Sequence, residues 1–185
     1  MATSSLNADT MRPILRCYLE EQWQRVYENG RGAIIVSNLG KTACFVEPTD
    51  AKDGRTRVNV RSPIVAGVPR SPAFFELIAL NATNWTFGAL STYEEDDLNV
   101  EFDLAILADG LTSAALNYYV REISSTADSL ATMFHDQFGV ASCTDINGAT
   151  LRAAHIARPD PAISPPGRNP VNCLSRGSSP SHLPH

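Results

Sequence analysis

The sequence lacks most of the patterns that announce chemistry. It contains no Gly-x-Ser-x-Gly, no Gly-x-x-x-x-Gly-Lys-Ser/Thr and no His-Glu-x-x-His. Those absences exclude the nucleophile elbow, the phosphate-cradling loop and the zinc-protease helix. Gly30-Arg31-Gly32 lies between a helical pattern and a strand pattern, the reverse of the strand-loop-helix order a dinucleotide fingerprint needs. Histidine is scarce: His135, His155, His182 and His185, three of them in the C-terminal stretch. His135 stands beside Asp136 and reads as a solvated side chain, because no second ligand sits at metal-binding spacing. The four cysteines are separated by 27, 99 and 30 positions, which matches neither a zinc pattern nor Cys-x-x-Cys. Cys17 falls in a helical pattern and Cys44 in a strand pattern, so both read as small buried thiols. No cofactor, metal or catalytic residue is expected.

No apolar run approaches the roughly 18–20 residues of a membrane-spanning helix. The first ten residues carry neither a basic n-region nor an apolar h-region, so a cytoplasmic protein without a membrane partner is expected. Positive charge is also thin where it would matter. Residues 1–151 hold 11 Lys/Arg against 19 Asp/Glu, whereas residues 152–185 hold four Arg and one Asp. An acidic body argues against nucleic-acid binding, which needs a cationic footprint.

What is present is ordinary globular material, 43% apolar over 185 residues: one domain with some excess. Three segments are expected: a flexible N-terminus (1–10), an α+β domain (11–150) and a disordered tail (151–185). The tail is rich in Ser and carries Pro159, Pro161, Pro165, Pro166, Pro170, Pro180 and Pro184, with too little apolar material to offset ordering entropy.

Within the domain, Leu15, Leu19, Trp23 and Val26 lie on one helical face, with Pro13 in the first turn and Asn29-Gly30 as the stop. Gly32 to Ser37, Thr42 to Glu47 and Thr56 to Val65 read as a three-strand meander with one wet face. Ser71-Pro72 starts a short helix reaching Asn81 or Asn84. Its crowd of Phe74, Phe75, Leu77, Ile78 and Leu80 suggests burial on more than one side. Thr86 to Thr92 and Leu98 to Leu107 form a hairpin around Glu94-Glu95-Asp96-Asp97; in the second strand Leu98, Val100, Phe102 and Leu104 alternate with polar residues. Leu116, Val120, Ile123, Ala127, Leu130, Phe134 and Phe138 then stripe a long helix capped by Thr112 and stopped at Gly139. The order α-β-β-β-α-β-β-α favours an α+β fold with an antiparallel sheet covered by helices.

The stretch Pro72 to Gly139 carries a helix ending at Asn81, a glycine-containing strand (Phe87-Gly88-Ala89-Leu90), an acidic hairpin turn and Val100-Glu101-Phe102. It closes on a long helix with Ala127-Asp128-Ser129-Leu130 and a terminal Phe138-Gly139. This pattern resembles the type III secretion chaperone-like superfamily and, within it, the YbjN-like domains, over about residues 11–140. The resemblance implies a small acidic homodimer that binds an extended segment of another protein, holding or regulating it without catalysis. Addition of that segment to an exposed sheet edge is one available mode.

On that reading the partner and dimer contacts fall to the second helix and the final hairpin: Phe74, Phe75, Ile78, Trp85, Leu98, Val100 and Phe102. The alternative is a small-molecule-binding regulator or an enzyme. It would use either the acidic turn 94–97, by default a solvated turn, or the face of the third strand where alternation places Arg57 and Arg61 together. Those arginines either pair with acidic neighbours or hold an acidic ligand.

Overall fold

The computed structural model describes residues 7–37, 42–68, 70–81, 85–94, 98–140 and 143. The turn expected at 38–41, most of the acidic turn and the expected disordered tail lie outside the described residues.

Helix α1 (Ala8–Glu20) begins seven residues ahead of Leu15, the first residue of the apolar face, because Asn7 and Thr10 form a reciprocal cap. The Thr10 N–H donates to Asn7 Oδ1 at 2.9 Å and the Asn7 N–H to Thr10 Oγ1 at 3.0 Å. Pro13 therefore sits inside the helix, in its second turn. Met11, Leu15 and Leu19 are its buried residues. The helix stops at Glu20, well before Asn29, and the residues beyond it break the helical expectation. Val26–Glu28 is strand β1, paired antiparallel with β2 (Ile34–Val36) through Val26↔Val36 and Glu28↔Ile34. Asn29-Gly30 closes this hairpin instead of a helix. Asn29 Oδ1 accepts from the N–H groups of Arg31 and Ala33, and Gly32 takes a φ of 84°.

β3 (Cys44–Asp50) and β4 (Thr56–Val65) complete the expected meander, and α2 (Pro72–Asn81) follows. β5 (Ala89–Glu94) and β6 (Leu98–Leu107) form the final hairpin, and α3 (Ser113–Phe138) ends at Gly139, whose φ is 65°. The fold class is the α+β antiparallel one expected, with one short strand added at the front. The six strands lie in the order β1-β2-β3-β4-β6-β5, so the crossover through α2 brings β6 against β4. Ile64 is an extra residue in β4 at a bulge between Pro63 and Val65.

One sheet face carries Val46, Val58, Val60, Ile64, Val100 and Phe102, all fully buried against α1 and α3. The α3 stripe from Leu116 to Phe134 is buried throughout. Each fully covered Leu, Ile or Phe there is worth about 1.5–3 kcal/mol relative to exposure. Asn117 and Ser124 are the buried polar residues of that stripe, and Asn117 is the one that reaches α1. Its Oδ1 accepts from Trp23 Nε1 at 2.7 Å, and its Nδ2 donates to the carbonyls of Tyr18 and Ser113, both at 2.9 Å. One side chain thus ties the end of α1 to α3. Among the described residues no helix is long and apolar enough to cross a membrane.

Candidate protein-binding surface

Helix α2 starts as its sequence suggests, with the Phe74 N–H donating to Ser71 Oγ at 3.2 Å and Pro72 as the first helical residue. Its packing is not what its apolar content suggests. Phe74 is its only buried residue, held by a tilted ring contact to Phe134 and an edge contact to Phe138 of α3, with ring centroids 5.7 and 5.5 Å away. Phe75 is 45% exposed and Leu80 64% exposed, while Leu77 and Ile78 are half-buried. The helix is broad in apolar content because it faces outward, not because it is buried on two sides. Helix α2 thus turns Phe75 and Leu80 to solvent, with Phe74 as its buried anchor.

The residues singled out from the sequence separate into two sets. Phe74, Val100 and Phe102 are fully buried and Leu98 nearly so, all within the chain's own core. Phe75 and Ile78 reach the surface of α2. Trp85 lies between the sets. It is half-buried, with its ring 5.4 Å from that of Phe102, and its Nε1 is shielded and finds no acceptor among the described residues. Leu80 belongs with Phe75 and was legible only as part of a crowded helix. A second surface feature carried no sequence signal: Phe87, Tyr118 and Tyr119 form an edge-to-face cluster with centroids 5.7–6.2 Å apart. β1 and β5 are the sheet's edge strands, so the backbone of β5 is placed to accept a further strand.

The face of the sheet opposite the helices is polar. Register aligns Glu47 with Asn59, and Arg61 with Asp103, across β3, β4 and β6. Arg57 pairs with Asp53 at 3.3 Å. Arg61 lies between Glu47 at 3.6 Å and Glu101 at 3.8 Å, with its guanidinium 5.8 Å from the centre of the Phe45 ring. Of the two roles open to these arginines, the structure gives them acidic neighbours. Glu101 is 13% exposed. Burial pushes its carboxyl above the ordinary value; Arg61 pulls it back and Asp103 adds to the push. Asp53 is exposed, and the backbone N–H of Arg55 holds its carboxyl below the ordinary value.

Chemically reactive groups are muted. Cys44 is the buried thiol expected, pushed up to about 12 by desolvation. Cys17 departs from expectation, being half-buried and disulfide-bonded. His135 is exposed, its Nδ1 3.2 Å from the Val140 carbonyl. Among the described residues no group of three or more His, Cys, Asp or Glu is placed to hold a metal ion.

Residues 9–143 match the family described as T3SS (YopN, CesT) and YbjN peptide-binding chaperone 1. The chain belongs to this family. The YbjN-like resemblance read from Pro72 to Gly139 is thereby shown, and the match also takes in α1 and the meander. Among solved structures, the chaperone domain is similar to the crystal structure of YbjN from E. coli. Identity is 13% and the TM-score 0.49, over 69% of this chain and 93% of that one. No curated protein matches.

Proposed function

We propose that this peptide-binding chaperone domain, spanning about residues 11–150, holds an extended segment of a partner protein without chemically altering it, and that it works as a homodimer. The observation that carries the reading is α2, an apolar helix with one buried residue and with Phe75 and Leu80 presented to solvent. Two copies that shield this helix from water would gain about 25 cal/mol for each Å² of apolar surface covered. The partner's segment then has the β5 edge, where main-chain hydrogen bonds give affinity with little demand on sequence. Phe75, Ile78 and Leu80 are the dimer contacts in this reading, and Trp85 sits close to the hairpin that receives the segment. Phe74, Leu98, Val100 and Phe102 support both from beneath.

Size-exclusion chromatography with light scattering on the full chain tests the dimer. A dimer that becomes monomeric in the Phe75→Glu/Leu80→Glu variant is the expected result. A wild-type chain that is monomeric at high micromolar concentration removes the dimer from the proposal. A cytoplasmic location is part of the same reading, and the disulfide at Cys17 is the observation that pulls against it; fractionation of native cells decides. The alternative of a small-molecule regulator or enzyme draws on the cavity around Arg61 and the raised Glu101 carboxyl. Its weakness is charge: among the described residues lining that cavity, carboxylates outnumber the Arg61 guanidinium, which repels an acidic ligand.

A further inference from the structure

The sequence holds four cysteines, Cys17, Cys44, Cys143 and Cys173. Cys17 is disulfide-bonded, whereas Cys44 and Cys143 are free thiols, both buried. Within the chain, the sulfur left to bond Cys17 is that of Cys173, which lies outside the described residues. Burial also takes the two free thiols out of competition. Desolvation pushes Cys44 up to about 12 and Cys143 up to about 11, so neither supplies the thiolate that disulfide exchange requires. Cys17 differs from them, being only half-buried on α1. The chain path permits the closure. The Tyr18 carbonyl accepts from Asn117 Nδ2 at 2.9 Å, which sets the last turn of α1 beside the start of α3. From there α3 runs 26 residues, about 39 Å at 1.5 Å per residue, and Cys143 follows at its far end. Thirty positions separate Cys143 from Cys173. A chain of that length reaches about 100 Å when extended, so it can return the length of α3 without tension. Charge favours the return: residues 152–185 are net basic and residues 1–151 net acidic.

We infer that Cys17 and Cys173 close a redox-sensitive strap, which returns the basic, proline-rich C-terminal stretch to α1 and is released by a dithiol reductant. The inference goes beyond the protein-binding reading and requires neither the dimer nor the β5 edge. Release is a thiol–disulfide exchange. One thiolate of the dithiol attacks a sulfur of the bridge and forms a mixed disulfide, which the second thiolate resolves. The dithiol is oxidised to its own disulfide, and its two protons pass to the sulfurs of Cys17 and Cys173 as the bridge is reduced. A half-buried cysteine at the surface of α1 leaves the bridge open to that attack, as one in the core would not. Closed, the strap fixes residues 144–172 at both ends; reduced, it leaves the C-terminal stretch joined to the domain at one end alone. In a reducing compartment a bridge of this kind is transient, which makes it a sensor rather than a staple.

Peptide mapping of the full chain tests the pairing. Free thiols are alkylated in the lysis buffer, and the chain is digested with trypsin without reductant. Cleavage after Arg16, Arg25, Arg168 and Arg176 should release residues 17–25 joined to residues 169–176, a linked mass that disappears on reduction. A 17–25 peptide that is alkylated, or joined to a second copy of itself, overturns the inference. Titration of the folded chain with a chromogenic aromatic disulfide reads the release. The unreduced chain should show no reactive thiol. After millimolar dithiothreitol in native buffer, and its removal, two should react, because Cys44 and Cys143 stay buried. Cys173→Ser should expose Cys17 as one reactive thiol without any reductant. Cys17→Ser should do the same for Cys173, which keeps the test open if either variant fails to fold. A bridge that resists dithiothreitol until the chain is unfolded in urea is a fixed staple and overturns the switch.

Discussion

Phe74 and Phe75 are neighbours in sequence with opposite fates, and the pair gives the sharpest test of how α2 is held. Phe74 is fully buried against Phe134 and Phe138, whereas Phe75 is 45% exposed. Truncating a buried Phe to Ala costs about 3–5 kcal/mol through lost transfer energy and the cavity left behind. A domain of this kind has about 5–15 kcal/mol of stability in total, so Phe74→Ala should remove a large share of it. Because Phe74 is the only buried residue of α2, the loss should fall first on that helix. Phe75→Ala removes a half-wet ring and should change stability by no more than about 1 kcal/mol. Urea unfolding gives the midpoints, and native-state hydrogen exchange reads residues 72–81 separately from α3. Both are run at low protein concentration, so that self-association does not enter the stability. Phe74→Ala is expected to lower the midpoint and strip protection from α2, while Phe75→Ala does neither. Wild-type protection of α2 in Phe74→Ala would refute the claim that one side chain anchors it.

Three further outcomes follow from particular contacts. Gly88 has a φ of 81°, and a Cβ there would sit 2.9 Å from the Phe102 ring and from the Asp103 carbonyl. Gly88→Ala should therefore cost about 1–3 kcal/mol in a thermal melt, and an unchanged melting temperature would contradict the close approach. Asn117→Leu leaves the Trp23 indole N–H without its acceptor and the Tyr18 carbonyl with only the Ser113 hydroxyl at 3.4 Å. A loss of about 1–3 kcal/mol per stranded group and a shifted Trp fluorescence maximum are expected; unchanged emission would mean Trp23 is held by something else. Glu101 binds its proton more tightly when folded than its ordinary 4.5, so its contribution makes stability fall as pH rises from about 4.5 through the raised folded value. The pH dependence of the urea midpoint should lose that slope in Glu101→Gln, and an identical slope in both proteins would refute the assignment.

Local periodicity made some of this fold readable. The stripe from Leu116 to Phe138 and the alternation from Leu98 to Leu104 each commit a segment to one covered face, and both elements lie where the pattern puts them. The front of the chain misleads for a physical reason. Trp23 and Val26 continue the spacing of Leu15 and Leu19, but Trp23 is claimed by Asn117 of α3 and Val26 by Val36 of β2. Partners that far away in sequence override a helical period. Helix α2 shows a different limit. Apolar residues all round a helix require cover, yet composition does not say whether the cover comes from the same chain. The open-face cavity was half legible: alternation within β4 grouped Arg57 with Arg61. Glu47, Glu101 and Asp103 reach them only through the registers of β3 and β6, which no single strand encodes.

The sheet order has a consequence for how the protein is made. β4 ends at Val65, and its neighbour β6 does not begin until Leu98. During synthesis the meander can assemble, but its β4 edge stays bare until the ribosome has delivered the later hairpin. Non-local pairing of this kind closes slowly, and the half-made sheet offers strand hydrogen bonds to any extended chain nearby. While nascent, this member of a peptide-binding chaperone family has a bare strand edge of its own.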